Sequence, residues 1–276
     1  MAMSVNTNVG AQIALQNLNA TNAQLAITQN RINTGKTVAT AKDNGAIWAI
    51  AQGQRAEIGA LTAVKQSLDR GVAAVDVALA AGETVSDLLL QMKEKALAAT
   101  DASLKTAARA ALNEDFVALR DQIASVTANA EFNGVNLLKT GATGFQALAN
   151  AQGTSTLTVG AEVLALGSTN VSIAAAQTIS TLSDATAAMT DVADSIAAVS
   201  GALARLGTKS KALETHITFV GKLTDALEAG VGNLVDADLA KESAKLQALQ
   251  TKQQLGAQAL GIANQTPQLI MSLFQN

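Results

Sequence analysis

The amino-acid sequence predicts an all-α fold, an elongated coiled coil or helical bundle with a small β-hairpin region at its tip. The first observation behind this prediction is the composition. Hydrophobic residues make up 49% of the 276 residues but aromatic residues only 2%, so the apolar material is mostly Ala, Leu, Val and Ile. Ala and Leu favour helices, and proline occurs once, at Pro267. The second observation is a set of long apolar stripes with steps of three and four residues, typical of helices in a bundle.

The distribution of charge supports a division of the chain. Charged residues fall in two blocks, about 31–139 and 184–252, with uncharged ends and a middle in which Glu162 stands alone. The two ends are alike in composition although they are far apart in sequence, which indicates a shared environment. The net charge of −3 gives no broad basic surface. Nucleic acid is therefore not an expected partner.

The first segment, residues 1–40, is predicted to form a helix that is not very stable alone. Leu18, Leu25 and Ile32 recur every seven residues and form half of an apolar seam. The other half, three residues earlier in each repeat, is mostly polar: Leu15, Asn22 and Gln29. Asn22 and Gln29, with Gln253 near the other chain end, either fix the register between packed helices or are simply hydrated in the free subunit.

Residues 41–140 are predicted to form one half of a rod-like bundle. The turn signal Asp43-Asn44-Gly45 opens this segment, and Asp43 or Asn44 is expected to cap the helix that follows. The main stripe of the segment is apolar or small throughout: Leu61, Val64, Leu68, Gly71, Val75, Ala78, Gly82, Val85, Leu89, Met92 and Ala96. A shorter stripe follows: Leu112, Phe116, Leu119, Ile123 and Val126.

Residues 141–180 are predicted to form a short tip with a β-hairpin. Thr154, Thr156 and Thr158 alternate with other side chains in a weak strand pattern, and several glycines mark turns. The segment is nearly uncharged and rich in hydroxyl groups. Three of its hydroxyls are candidate acceptors for O-linked glycans: Thr154, Ser155 and Ser168. The alternative is an unmodified hairpin.

The remaining chain is predicted to contain two helical segments, residues 181–232 and 233–276. The first carries the longest stripe, which starts at Leu182 and is interrupted only by Ser210 and Thr224. Near Gly232 the spacing changes to two steps of four, which predicts a helix boundary. Asp236 and Asp238 are expected to start the last helix. The apolar positions of that helix are Leu246, Leu249, Leu260, Leu269, Ile270, Leu273 and Phe274.

Chemistry is not predicted. The chain has one histidine, His216, and no cysteine, so a transition-metal site is not expected. No phosphate-binding loop or catalytic constellation is recognisable, and neither an enzyme nor a cofactor is expected. No signal peptide and no run of about 18 apolar residues is present, so we expect neither general secretory export nor a membrane span.

Three stretches together resemble one family. They are "NRINTGKTVATAKDNGAIWAIAQ", "EFNGVNLL" at 131–138 and "ANQTPQLIMSLFQN" at the end of the chain. Bacterial flagellins have a similar Arg-x-x-x-Gly followed by Ala-Lys-Asp, a Phe-Asn-Gly turn, and an Ala-Asn-Gln-x-Pro-Gln ending. The resemblance covers about 1–140 and 180–276, in the order and spacing of the family.

The resemblance implies a hairpin-shaped extracellular subunit that polymerises into the flagellar filament used for swimming. Residues 1–40 and 233–276 would line the filament core, and 141–180 would replace the large outer domains of enteric flagellins. It also implies export by the flagellar type III apparatus. The implied partners are other copies of the chain, related flagellins, an export chaperone, and the cap and hook–filament junction proteins, with no nucleic acid or membrane among them.

The resemblance implies that the two ends pair as terminal helices. Burial of the apolar C-terminus against neighbouring subunits and against the uncharged N-terminus is the expected driving force of assembly. The residues expected at this interface are Leu18, Leu25, Ile32, Leu246, Leu249, Leu260, Leu269, Ile270, Leu273 and Phe274. Because each end lacks a complete apolar stripe, about 1–35 and 240–276 are predicted to be disordered in the free subunit and helical in the filament. The alternatives are a hook–filament junction protein and, from another class, an amphipathic membrane-active protein.

Overall fold

A computed structural model describes residues 7–273, with side chains described for 7–265. In this part of the chain there are five helices, α1 (Val9–Thr34), α2 (Gly45–Ala99), α3 (Thr106–Asn129), α4 (Leu182–Val235) and α5 (Leu239–Leu273). Two strands, β1 (Phe145–Leu148) and β2 (Thr156–Val159), form an antiparallel hairpin in which Phe145 pairs with Val159. The predicted all-α class with one small hairpin is confirmed. None of the described helices is long and apolar enough to cross a membrane.

The chain divides into two compact units. Unit 1 comprises Met1–Ala56 and Ala226–Asn276, and unit 2 comprises Glu57–Asp225. The divisions fall inside α2 and α4, whereas the boundaries predicted from the sequence, near residues 40 and 232, lie close to helix ends. The observed units and the segments predicted from the sequence both place the two chain ends together.

Polar side chains begin the helices of unit 1 as the sequence predicts. Asn44 Oδ1 accepts a hydrogen bond from the Ile47 amide at 3.2 Å at the start of α2. Asp238 Oδ1 accepts hydrogen bonds from the amides of Ala240 and Lys241, at 3.0 and 3.1 Å, at the start of α5. These contacts satisfy amides that have no partner within a helix.

Helices α1 and α5 pack antiparallel in unit 1. At one end Asn8 Nδ2 donates to the Ala263 carbonyl at 2.7 Å, and at the other Arg31 Nη1 donates to Glu242 Oε1 at 3.0 Å. The connections beyond this end also pair: the Thr37 amide donates to the Val235 carbonyl at 2.7 Å and the Ala237 amide to the Gly35 carbonyl at 2.9 Å. Gly35 has φ 67°, a left-handed conformation that ends α1 without strain.

The core of unit 2 is formed by the predicted stripe of α2. Every position of that stripe from Leu61 to Ala96 is buried. Helix α4 lies antiparallel to α2, and two glycines of α2 allow close packing. A Cβ atom on Gly71 would lie 2.7 Å from the Phe145 ring, and one on Gly82 would lie 2.5 Å from Leu203 Cδ2. Phe116 and Ile123 of α3 are fully buried in the same unit.

The middle segment (residues 141–180) packs along unit 2, although the sequence predicts a tip. Along the segment, its contacts move toward the N-terminal end of α4. The Ala149 carbonyl lies 2.7 Å from His216 Nε2, and Glu162 forms an ion pair with Arg205 at 2.6 Å. Further along, the Ser172 amide donates to Ser195 Oγ at 3.0 Å. Two contacts hold the hairpin beside the helices. The Phe145 ring fills the space left by Gly71, and the Leu148 amide donates a hydrogen bond to Ser67 Oγ at 3.1 Å.

A sequence signal for this placement exists on α4. Ser195, which contacts the middle segment, is 1% exposed, and Ala188 and Ala202, seven residues before and after it, are 0% exposed. A row of small residues beside the main stripe allows an extended chain to pack closely. The heptad analysis follows only one stripe, so it does not predict this second buried row.

Candidate assembly surface

Titratable side chains do not form a reaction centre in the part of the chain that the structure describes. No group of three or more His, Asp or Glu side chains there is arranged to hold a metal ion. His216 lies against the Ala149 carbonyl and 5.7 Å from the Phe219 ring centroid, both of which are structural contacts. The candidate functional site is therefore a surface, and the α1–α5 pair carries the features expected of it.

The predicted interface residues lie on one face of this pair, which we call the inner stripe. Leu249 is 6% exposed, and Leu18, Leu25, Ile32, Leu246 and Leu260 are half-buried. Leu18 packs at Gly256, where an added Cβ atom would lie 3.3 Å from Leu18 Cδ1. The inner stripe thus joins the two ends of one chain. A role for these six residues between subunits stays a prediction.

The other half of the α1 seam differs from the sequence prediction. Thr21 and Thr28 are buried at 3% and 0% exposure, whereas Leu15, Asn22 and Gln29 are exposed. In a seven-residue repeat the second buried position of each turn lies either three residues before or three residues after the first. Both sets of residues are mostly polar here, so the sequence does not show which set is buried. Asn22 nevertheless meets a predicted partner, because Gln253 Nε2 donates to its Oδ1 at 2.7 Å.

One ion pair lies at the inner stripe. Arg31 is the only charged residue of α1, and Glu242 is the only acidic residue of α5. Their side chains are 32% and 10% exposed, and the remaining oxygen of Glu242, Oε2, is buried without a hydrogen-bond partner. A partly desolvated pair of this kind contributes more to register than to net stability.

A second apolar stripe, the outer stripe, lies on the opposite side of both helices. On α1 it contains Ile13, Ala20 and Ile27, seven residues apart, and on α5 it contains Ala248 and Leu255. All five are exposed, with Ile13, Ile27 and Leu255 at 54%, 52% and 59%. Val9, one turn before Ile13, is 59% exposed. Apolar side chains repeated at this spacing on a surface mark an interaction site rather than scattered exposure.

Other predicted site residues lie elsewhere. Phe274 lies outside the described residues, and so do the side chains of Leu269, Ile270 and Leu273. Among the candidate glycan acceptors, Thr154 and Ser155 are exposed. Ser168 is half-buried, and its Oγ donates to the Val163 carbonyl at 3.0 Å and accepts from the Val171 amide at 3.1 Å.

The paired chain ends and the apolar surface that they leave exposed define a class of protein, a helical structural subunit. Residues 5–143 match the bacterial flagellin N-terminal helical region, and residues 187–274 match the C-terminal helical region. The chain belongs to the bacterial flagellin family and is an extracellular structural subunit of the flagellar filament.

Similar proteins agree over the whole length. The chain is 56% identical to flagellin FljM and 55% identical to flagellin FljK of Caulobacter vibrioides, in each case over 99% of this chain and 98% of the relative. It is 36% identical to a flagellin of Brucella melitensis over 99% of both chains. The predicted resemblance is confirmed, and none of these matches favours the junction-protein or membrane-active alternative.

Proposed function

We propose that the chain polymerises through the outer stripe of α1 and α5, while the inner stripe pairs the two ends of each subunit in the same step. The observation that carries this proposal is the presence of two apolar stripes on opposite faces of both helices. One stripe is used within the subunit. The other, with Ile13, Ile27 and Leu255 each more than half exposed, is available to a second copy.

The energetics favour this division of roles. Covering the exposed half of a Val, Leu or Ile side chain contributes roughly 1 kcal/mol to the free energy of association. A row of such side chains from each subunit therefore contributes several times that amount. Residues 1–30 carry no charge, and neither does the chain after Lys252. Little charge therefore has to be desolvated along α1 up to residue 30 and along α5 beyond Lys252. Up to that point Lys241, Lys245 and Lys252 are exposed beside Ala248, and their ammonium groups have to stay in water at the edge of the contact.

The sequence extends the same surface beyond the described side chains. Leu269 stands fourteen residues after Leu255 and so continues its seven-residue row, and Ile270, Leu273 and Phe274 follow it. We propose that these residues, with the inner-stripe residues, become ordered and covered in the polymer. The free subunit then has disordered ends, as the sequence predicts, and pays the ordering entropy on assembly.

The remaining roles of the protein follow from its function as a filament subunit. The protein performs no catalysis, and its partners are further copies, related flagellins that share the interface, an export chaperone, and the cap and junction proteins of the flagellum. Glycans, where present, are carried by Thr154 and Ser155, since the Ser168 hydroxyl already makes two hydrogen bonds within its loop. Intact mass of filament protein equal to the sequence mass would contradict the glycan proposal.

A lysine scan of α1 tests the assembly surface. Ile13→Lys and Ile27→Lys should abolish sedimentable filaments, because a charge would be buried between copies. Asn19→Lys is the matched control, because Asn19 is exposed on the same helix and belongs to neither stripe. Normal filament formation by both outer-stripe variants, with circular dichroism unchanged, would contradict the proposal.

A further inference from the structure

Two short segments of unit 1 pair with each other where the helices connect, and we call them the clamp: residues 35–38, which follow α1, and residues 235–237, where α4 ends before α5. At its centre Lys36 and Asp236 form an antiparallel bridge. We propose that the pairing of α1 with α5 during polymerisation begins with closure of the clamp, which sets the register of the two helices. This inference rests on the proposed function and adds to it the step at which pairing starts.

Backbone hydrogen bonds lie on both sides of the bridge. The Val235 carbonyl accepts from the Thr37 amide at 2.7 Å and from the Val38 amide at 3.4 Å. On the other side, the Ala237 amide donates to the Gly35 carbonyl at 2.9 Å. The Thr37 hydroxyl also donates to the Val235 carbonyl, at 3.2 Å. Val38 and Val235 are only 8% and 2% exposed, so the clamp is better packed than most leucines of the inner stripe, which are half-buried.

The clamp lies close to the residues where α2 begins and α4 ends. Those two helix ends are side by side, because a Cβ atom on Gly230 would lie 4.0 Å from Gln54 Oε1. Val235 is the last residue of α4, and Lys36 is nine residues before the start of α2. The entropic cost of closing a loop rises with its length. The clamp therefore closes at a lower cost than any contact nearer to the chain ends.

The register of the clamp holds along the whole α1–α5 pair. Arg31 and Glu242, which form an ion pair at 3.0 Å, lie five and six residues from the bridge. Near the far end Asn8 Nδ2 donates to the Ala263 carbonyl at 2.7 Å, and these residues lie 28 and 27 residues from the bridge. Both helices advance equally from the clamp, so the alignment that it sets reaches the far end of the pair.

The inner stripe alone does not fix this register. Leu18, Leu25 and Ile32 repeat every seven residues, so sliding α1 by seven residues along α5 puts two of these side chains back into equivalent positions. Arg31 is the only charged residue of α1, so no further ion pair of that helix opposes the shift. Pairing that starts at the clamp excludes the shift, because the bridge holds the two helices at one end.

A reversible cross-link tests the clamp. Because its hydrogen bonds lie on either side of the bridge, Lys36 and Asp236 are a non-hydrogen-bonded pair, whose Cα atoms are about 4.5 Å apart in antiparallel strands. That separation lies within the range of disulfides. The chain has no cysteine of its own, so a Lys36→Cys/Asp236→Cys subunit can form a single disulfide within one chain. Migration as a monomer on a non-reducing gel verifies that the disulfide is internal.

The oxidised variant should polymerise at a critical concentration about threefold or more below that of the same variant after reduction. The disulfide removes open states of the free subunit and leaves the filament unchanged. The original chain, which has no cysteine, should respond to neither oxidant nor reductant. An oxidised subunit that polymerises no better than its reduced form would overturn the proposal.

A proline in the clamp should have the opposite effect. Thr37→Pro removes the amide and the hydroxyl that donate to the Val235 carbonyl, and it should raise the critical concentration about tenfold. Ala41→Pro is the matched control. Ala41 is the second residue of the turn in which the Asp43 amide donates to the Thr40 carbonyl at 3.1 Å, a position that favours proline. Equal effects of the two prolines would overturn the proposal.

A rescue experiment separates loss of the clamp from general damage by the proline. Thr37→Pro placed in the oxidised Lys36→Cys/Asp236→Cys subunit should polymerise at a critical concentration within about threefold of that of the original chain, because the disulfide closes the clamp without the amide. Failure of the disulfide to improve polymerisation of the proline variant, with an unchanged circular dichroism spectrum of the free subunit, would overturn the proposal.

The clamp and the outer stripe fail in different ways. Normal filaments from Ile13→Lys and Ile27→Lys, together with a lower critical concentration of the oxidised clamp variant, would remove the outer stripe and retain the clamp. Loss of filaments in both lysine variants, with no effect of the disulfide, would retain the outer stripe and remove the clamp.

Discussion

Helices pair in both units, but the two pairings are built from different side chains. In unit 2 the α2 stripe is apolar or small and fully buried, and α3 and the middle segment complete the core. In unit 1 the α1–α5 seam contains buried Thr21, Thr28 and Glu242, and most of its leucines are only half-buried. Unit 2 therefore has a complete core within one subunit, whereas we propose that the α1–α5 pair is completed by other copies.

Unpaired polar atoms show the same contrast. Among the described residues, the buried side-chain oxygens without a hydrogen-bond partner are Thr28 Oγ1, Gln54 Oε1 and Glu242 Oε2, and all three belong to unit 1. Each such group costs about 1–3 kcal/mol. The α1–α5 seam carries two of these costs, at Thr28 and Glu242, and has few fully buried leucines. Such a seam is marginal alone, which suits a segment that orders on assembly.

The largest expected effect lies in unit 2. Phe116 is fully buried on α3, and Phe116→Ala should lower the free energy of unfolding of the free subunit by about 3–5 kcal/mol. Urea unfolding followed by circular dichroism measures this. A loss below 1 kcal/mol would mean that unit 2 lacks the tight core described here.

A smaller effect separates two glycines of α2. Gly71→Ala gains about 1 kcal/mol of helix propensity but forces a Cβ atom to within 2.7 Å of the Phe145 ring. Overpacking costs about 1–3 kcal/mol, so a net loss of about 1 kcal/mol is expected. At Gly59 nothing lies within 4 Å of the added atom, so Gly59→Ala should stabilise by about 0.5–1 kcal/mol. Thermal unfolding of the two variants should shift in opposite directions, and equal shifts would contradict the packing.

The inner stripe should behave differently in the free and assembled protein. Leu25 is half-buried, and Leu25→Ala should change the unfolding free energy of the free subunit by less than about 1 kcal/mol. The same change should raise the critical concentration for polymerisation at least tenfold, because the ordered pair exists mainly in the filament. Comparison of unfolding curves with sedimentation at graded concentrations decides this. A large loss in the free subunit would mean that α1 is already packed there.

The smallest effect concerns pH. The pKa of Asp101 is lowered from 3.8 because the hydroxyl and amide of Ser103 donate to its carboxylate, and the pKa of Asp43 is lowered because Thr40 donates to it. A carboxylate whose pKa is lower in the folded than in the unfolded protein stabilises the fold at pH values above its unfolded-state pKa. That stabilisation is lost as the pH falls through the folded-state pKa. Asp101→Asn should therefore reduce, slightly, the loss of stability below about pH 4. Thermal unfolding at pH 7 and pH 3 measures it, and a larger acid sensitivity in the variant would contradict the sign.

Much of the fold follows from the sequence because long heptad stripes leave few alternatives. The buried positions of α2, the helix end near Gly232 and the caps at Asn44 and Asp238 are predictable from spacing and local chemistry alone. The path of the middle segment is not, because it depends on contacts such as Phe145 with Gly71 that join residues far apart in the chain.

The candidate site was predictable only in part. The heptad of Leu18, Leu25 and Ile32 identifies the face of α1 that pairs, but not its partner. That face turns out to meet α5 of the same chain. The second row, Ile13, Ala20 and Ile27, has the same seven-residue spacing, and in a segment without charges nothing in the sequence ranks one row above the other.

Amide hydrogen exchange of the free subunit and of the filament, resolved by segment, tests most directly whether unit 2 is complete alone and the α1–α5 pair is completed by assembly. We predict that residues 9–34 and 239–265 exchange rapidly in the free subunit and become strongly protected in the filament. The buried face of α3 around Phe116 and Ile123 should be protected equally in both. Slow exchange of α1 and α5 in the free subunit, or no gain in their protection on polymerisation, would contradict the account.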